Sequence, residues 1–120
     1  MRSMTVAMPY PGAVISVNHY LGRRKNSYGT YVKSEAKAWA DELGWKIKTA
    51  HLEEWSLPLT VRCDGRFKDL RSTPDLSNLS KVTLDAIEEC TGINDQNYRW
   101  QDGDITCGEP TLWITITEGK

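Results

Sequence analysis

The last strand-like segment of the chain alternates between two kinds of side chain without a break. Aliphatic residues occupy every second position, and threonine and tryptophan occupy the positions between them: Leu112, Ile114 and Ile116 against Thr111, Trp113, Thr115 and Thr117. This period of two is typical of a half-buried β-strand, whose successive side chains point to opposite faces of a sheet. The chain must therefore form a sheet with one face packed against a core.

Other segments follow either the strand period or the helix period. Alternation predicts strands over 4–8, 59–64 and 97–101, and spacings of three and four residues between apolar positions predict helices over 32–50 and 75–90. The order is β–α–β–α–β–β. This order is typical of a single domain of mixed α/β or α+β class. Of the two we predict an α+β fold: one small domain, residues 1–120, in which a mixed β-sheet packs against two main helices.

Three stretches carry turn residues and are predicted as connections. Prolines and glycines make 9–30 a long loop, and Asp64-Gly65 opens a polar loop that continues to Pro74. Asp102-Gly103-Asp104, with Gly108 and Pro110 after it, suggests a hairpin between the last two strands.

The composition excludes several classes of protein. With 120 residues and 39% hydrophobic residues, the chain is that of an ordinary globular domain. No apolar run approaches the roughly 20 residues of a membrane span, and the first residues lack the apolar stretch of a signal peptide. Cys63, Cys90 and Cys107 have no paired spacing, so we expect neither a disulfide framework nor a zinc site, and a reducing cytoplasm is the expected compartment.

Charge is distributed unevenly along the chain. Residues 1–72 carry a net charge of +5 and residues 73–120 carry −6, which add to the overall −1. Basic clusters occur at Arg23-Arg24-Lys25 and at Arg62, Arg66, Lys68 and Arg71. Such clusters are also common in solvated loops, so the pattern permits binding to phosphates without requiring it.

The predicted second helix has an organised polar face. Asn78, Lys81 and Asp85 fall on one side of a helical wheel, and Asp75 stands at the N-terminal end. Two structural explanations compete with a functional one. Asp is a preferred N-cap residue, and a lysine four residues before an aspartate is an ordinary surface ion pair.

The functional interpretation requires a second carboxylate close to Asp75. Asp95 is the best candidate, because it lies in the turn that leads from the helix back to the sheet. Converging carboxylates with no His or Cys nearby suit magnesium better than zinc. A magnesium ion there could activate water for phosphodiester hydrolysis, with Lys81 stabilising the phosphate.

The ordered set of these motifs resembles the RusA family of Holliday junction resolvases. The matching segments are Pro74-Asp-Leu-Ser-Asn-Leu-Ser-Lys81, Asp85-Ala86-Ile87, Asn94-Asp95, the final Leu112–Glu118 strand, and Asn18-His19-Tyr20 near the start. The family pattern is D-L-D-N-L-x-K, then D-A-L, then a turn with paired acids, then a strand ending in T-E. The resemblance covers about residues 4–118.

The resemblance implies a homodimeric, Mg²⁺-dependent endodeoxyribonuclease that cuts four-way or other branched DNA in recombination and repair, in the cytoplasm of a bacterial or phage-infected cell. Asp75, Lys81 and Asp95 are its implied catalytic residues, and Asp75 and Asp95 its metal ligands. Implied supporting residues are Ser77, Asn78, Asp85 and Asn94. We expect the DNA backbone to be bound by Arg23, Arg24, Lys25, Arg66, Lys68 and Arg71.

Two positions depart from the family pattern. Ser77 replaces the usual second aspartate, and Asn94 replaces an acid that often precedes the turn aspartate. Each change removes a negative charge that would attract a metal, so Asp85 or Asp69 could act as a substitute. The alternative function is a junction-binding protein of the same fold with weak or no cleavage. A third possibility, favoured by the acidic isoelectric point near 6.1, is an interaction protein without a DNA role.

Overall fold

A computed structural model describes residues 1–16, 21–23, 30–32, 34–69, 71 and 73–119. Six strands and two α-helices are present in this part of the chain. They are β1 (Ser3–Pro9), β2 (Leu21–Arg23), β3 (Thr30–Val32), α1 (Ser34–Ile47), β4 (Leu59–Phe67), α2 (Ser80–Thr91), β5 (Tyr98–Cys107) and β6 (Thr111–Thr117).

Four of the strands form a mixed sheet in the order β1-β6-β4-β5, and β2 and β3 form a separate antiparallel pair. Strand β6 is antiparallel to both β1 and β4, whereas β4 and β5 are parallel. Ile114 of β6 pairs with Val6 on one side and with Cys63 on the other, which places the alternating positions of three strands in register. The predicted α+β class with a mixed sheet and two main helices is confirmed.

The core lies between one face of this sheet and the two helices. Helix α1 contributes Ala36, Trp39, Leu43 and Ile47, which recur at the spacing predicted from the sequence and are all buried. The fully buried positions of β6 are the predicted Leu112, Ile114 and Ile116. On the other face of the sheet, no residue of β1, β4 or β6 is buried, so that face has no described helix packed on it.

Two predicted turns lie inside strands. Asp64-Gly65 was expected to open a loop, but β4 continues to Phe67, with a register shift between Cys63 and Gly65. Asp102-Gly103-Asp104 belongs to β5, where the Asp104 amide donates a hydrogen bond to Asp64 Oδ1 at 2.8 Å. These turn-type residues fit in the strands because β4 and β5 pair irregularly at this point, and the Asp64 side chain accepts a hydrogen bond from the backbone of β5.

The predicted hairpin between the last two strands is wrong. Strand β4 lies between β5 and β6 in the sheet, so the Gly108–Pro110 connection crosses over the end of β4 rather than joining two neighbours. Arg66 of β4 secures this crossing, since its Nε donates to the Glu109 carbonyl at 2.8 Å.

The boundaries of the other elements also shift. The second helical segment begins with a 3₁₀ turn at Leu76–Leu79 and is α-helical from Ser80 to Thr91. Gly92 follows it with a φ of 76°, the left-handed conformation that glycine adopts at no steric cost. The predicted loop over 9–30 contains β2 and the start of β3.

The chain ends are joined by Glu118, the acid that follows the last strand. Its carboxylate accepts hydrogen bonds from the backbone amide and guanidinium of Arg2 and from the Ser56 amide. These donors lower the pKa of Glu118 to about 2. The T-E motif of the sequence therefore has a structural role in closing the sheet.

Candidate functional site

Asp75 caps the turn that begins the second helical segment. Its Oδ1 accepts hydrogen bonds from the Ser77 amide at 3.2 Å and from the Ser77 hydroxyl at 2.9 Å. Asp75 and Ser77 are exposed, whereas Leu76 and Leu79 are buried beneath them. The capping explanation for Asp75 is therefore confirmed, and its second carboxylate oxygen, Oδ2, makes no hydrogen bond to a described residue.

Lys81 and Asp85 form the predicted pair on the outer side of α2. Their Nζ and Oδ1 atoms lie 3.2 Å apart, and both side chains are about half exposed. Asn78 belongs to the 3₁₀ turn rather than to the α-helix, so the polar face predicted on one continuous wheel is divided between two helix types.

Asn94 and Asp95 follow the other end of α2. The side-chain oxygen of Asn94 accepts a hydrogen bond from the Gln96 amide at 3.2 Å and caps the short 3₁₀ turn at Asp95–Asn97. Both side chains are exposed. Asp95 thus stands three residues before β5 begins at Tyr98.

Within one chain the structure does not bring Asp75 and Asp95 together. Helix α2 has 12 residues, and at a rise of about 1.5 Å per residue it alone separates them by about 18 Å. The positions of the two residues along the sheet also show that they are far apart. Asp75 precedes Leu76, which contacts Gly65 near the end of β4, whereas Asp95 precedes Tyr98, which pairs with Leu59 at the start of β4.

The predicted DNA-binding residues fall into two groups. Arg66, Lys68 and Arg71 lie at and after the end of β4, and they precede Asp75 along one connection. Arg23 belongs to β2, while Arg24 and Lys25, like Asn18-His19-Tyr20, lie outside the described residues.

An ion-pair network that the sequence did not predict lies on the face of the sheet away from the two helices, which we call the open face. Arg62 contacts Asp64 at 3.0 Å and Asp104 at 3.3 Å. Arg62 is the largest cause of the lowered pKa of the Asp64 carboxyl. The signal available in the sequence was the spacing of Arg62 and Asp64, two residues apart in an alternating strand, which places both on one face.

The described part of one chain has side chains of the kind that bind a divalent metal ion, but it does not bring them together into a binding site. No three Asp, Glu, His or Cys side chains group together in the described part of a single chain. Burial raises the pKa of Cys63 to about 12, so this thiol stays protonated and is a poor ligand. One chain therefore supplies suitable oxygen donors at Asp75 and at Asp95 but does not gather them.

The comparison with protein families settles the relationship that these motifs suggested. The family described as endodeoxyribonuclease RusA matches residues 11–117, which is most of the chain. The chain belongs to the RusA endodeoxyribonuclease family. RusA family membership implies an endodeoxyribonuclease that resolves Holliday junctions and acts on branched DNA, and resolvases of this family are generally dependent on a divalent metal.

Two further findings bear on this RusA family chain. A search of individual curated proteins gave no match. Among the described residues, no helix combines the length and the apolar character needed to cross a bilayer.

Proposed function

We propose that this chain is a homodimeric, Mg²⁺-dependent endodeoxyribonuclease that resolves four-way or other branched DNA by phosphodiester hydrolysis. The observation that carries the proposal is the position of the matched family acids. Asp75 is exposed at the start of one helical segment, and Lys81 lies about two turns further along the same segment with its side chain half exposed. Asp95 is exposed beyond the other end of the helix.

The separation of the two acids makes the dimer part of the proposed site. A two-fold axis passing near the middle of α2 would set this helix antiparallel to its copy. The N-terminal end of each helix, with Asp75, would then face the C-terminal end of the other helix, with Asp95 of the partner subunit. Each site would combine acids from two chains, and the dimer would carry two sites.

The charges on α2 favour such an antiparallel arrangement. Lys81 lies in the first turn, whereas Glu88 and Glu89 lie near the C-terminal end. Antiparallel contact brings the more positive end of each helix toward the more negative end of the other, and it also opposes the two helix dipoles.

Carboxylate oxygens from Asp75 and Asp95 are ligands of the type that Mg²⁺ prefers, and Ser77 and Asn94 could add neutral oxygens. When bound, the ion would supply an activated water and neutralise charge on the phosphodiester. The contribution of the chain itself is electrostatic. The ammonium group of Lys81, held by Asp85, is placed to stabilise negative charge on a phosphate oxygen.

A second function is favoured by one observation. The Ser77 hydroxyl donates a hydrogen bond to Asp75 Oδ1, and it adds no negative charge that would attract a cation. A weaker cation site would leave a protein that binds junctions without cutting them, and this is the alternative that experiment must separate from a resolvase.

Binding and cleavage of a synthetic four-way junction, measured separately, test the proposal. We expect cleavage with Mg²⁺, none with a chelator, and none from Asp75→Asn, while junction binding persists in all three cases. Glu42→Gln is the matched control, because Glu42 is an exposed carboxylate on α1 that pairs with Lys46 at 3.3 Å, and it should cleave normally. Binding without cleavage by the native protein would establish the alternative, and no preference for junctions over linear duplex would contradict both.

A further inference from the structure

The open face of the four-stranded sheet is built mainly from polar side chains. The side chains on this face lie beside their partners on the neighbouring strands, and none of these residues is buried. Hydroxyl groups pair across β1 and β6, with Ser3 and Thr117 at 3.2 Å and Thr5 and Thr115 at 3.0 Å. The remaining members are Ala7, Pro9, Thr60, Arg62, Asp64, Arg66, Arg99, Gln101, Thr111 and Trp113.

Trp113 is the large aromatic side chain of this face. It lies between Ala7 of β1 and Asp64 of β4. The guanidinium carbon of Arg66 stands 5.1 Å from the centre of the Trp113 ring. Trp113 is partly exposed, and its neighbour on β1, Ala7, is exposed and has a small side chain.

The positive charge of this face is only partly neutralised. Arg62 is paired with Asp64 and Asp104, but neither Arg66 nor Arg99 forms an ion pair with a described residue. The contacts of Arg66 are instead the Glu109 carbonyl, the Thr111 hydroxyl and the Trp113 ring. An arginine held beside an aromatic ring by neutral partners keeps its charge available to an anion.

We propose that this open face binds unpaired nucleotides, with a base stacking on Trp113 and an adjacent phosphate bound by Arg66. Aromatic side chains on an exposed sheet, with arginines and hydroxyl groups around them, are suited to single-stranded nucleic acid. The position deepens the proposed nuclease function, on which it rests, because Arg66 leads through Lys68 and Arg71 to Asp75. Nucleotides splayed at a branch point would thus extend from the sheet toward the exposed acid.

A second copy of the chain is the competing occupant of this face. Sheets that pack face to face bury apolar side chains, whereas this face presents threonines, arginines and an aspartate. Its chemistry therefore favours a polyanion over another sheet.

Binding of an oligothymidylate of about 12 nucleotides, measured in chelator so that no cleavage occurs, tests the proposal. We expect Trp113→Ala to weaken binding by about 5- to 150-fold and Trp113→Phe to retain most of it. Arg66→Gln should lower the slope of log affinity against log salt by about 0.7 for each phosphate that Arg66 neutralises in the native complex. The matched controls are Trp45→Ala and Lys48→Gln, since Trp45 is 74% exposed on the helical side of the molecule and Lys48 stands 5.4 Å over its ring.

Binding by Trp113→Ala within twofold of the native affinity, or an equal loss in Trp45→Ala, would overturn the proposal. So would a change in sedimentation mass of Trp113→Ala without a loss of binding, because the face would then be a contact between copies. If Trp113→Ala does not fold, Arg66→Gln against Lys48→Gln carries the test. Cleavage of junctions plays no part in this measurement, so its result is independent of whether the chain is an active nuclease.

Discussion

Ser77 donates two hydrogen bonds to the same carboxylate oxygen of Asp75, from its amide at 3.2 Å and from its hydroxyl at 2.9 Å. A serine at this position therefore completes a helix cap, whereas the family pattern places a second acid there. The cap uses Asp75 Oδ1, which leaves Oδ2 as the Asp75 oxygen for the proposed cation. A second acid at position 77 would add a charged ligand that the serine lacks, and this predicts how the chain responds to restoring it.

Ser77→Asp should raise Mg²⁺-dependent junction cleavage and tighten Mg²⁺ binding by on the order of tenfold, because the site gains a charged oxygen ligand. Without metal the same variant should melt at a lower temperature, since two carboxylates would then lie side by side. Titration of cleavage rate against Mg²⁺ concentration measures the effect. Ser77→Ala is the control, and equal Mg²⁺ dependence in the two variants would show that position 77 lies outside the site.

Lys81→Met should reduce cleavage by about 10²- to 10³-fold if its ammonium stabilises charge on the phosphate. The free energy of unfolding should change by well under about 1 kcal/mol, because exposed ion pairs contribute little. Lys37→Met removes a similar pair on α1, where Lys37 and Asp41 lie 3.5 Å apart. Comparable cleavage by the two variants would assign Lys81 a surface role only.

Glu118 should make stability depend on acid pH. Its donors lower its pKa from 4.5 to about 2, so the ionised form stabilises the folded chain above about pH 4.5. That stabilisation is lost as the pH falls toward 2. The difference in free energy of unfolding between the native chain and Glu118→Gln should therefore be constant near neutral pH and shrink over that window. Denaturant titrations at several pH values measure it, and a difference independent of pH would contradict the assigned role.

Leu79 anchors the 3₁₀ turn beneath Asp75 and is 0% exposed. Leu79→Ala should destabilise the fold by about 2–5 kcal/mol, since it removes buried methyl groups and leaves a cavity. Leu57→Ala makes the same substitution at a position that is 45% exposed and should cost far less. Similar losses at both positions in chemical denaturation would contradict the packing described for this turn.

Periodic burial made much of the fold predictable. The alternation of β6 and the apolar stripe of α1 each correspond to one buried face, so their positions followed from side-chain type alone. Strand ends were harder to predict. The Phe67 ring occupies the space that a Cβ at position 65 would take, so this position in the strand requires glycine. In the sequence, the same glycine after Asp64 is indistinguishable from the Asp-Gly pair of a turn.

The candidate site could be predicted in its residues but not in its arrangement. Asp75, Lys81 and Asp95 were identifiable from motif order. The sequence did not show, however, whether the segments before and after the helix bring the two aspartates together. The turn after Gly92 leads to the start of β5, which is parallel to β4, so Asp95 is carried to the opposite end of the sheet from Asp75. Parallel pairing depends on contacts distant in the chain, and local patterns do not reveal it.

The most direct test of a site shared between two chains is junction cleavage by mixed dimers of Asp75→Asn and Asp95→Asn. Each variant alone should be inactive, because every site would lack one acid. In a mixed dimer, one site carries both substitutions and the other carries none, so sites built from two chains predict that mixing restores cleavage to about half the native level per mixed dimer. If the mixture stays inactive although subunit exchange is shown by mass, the two acids do not act together across the dimer, and a shared site is contradicted.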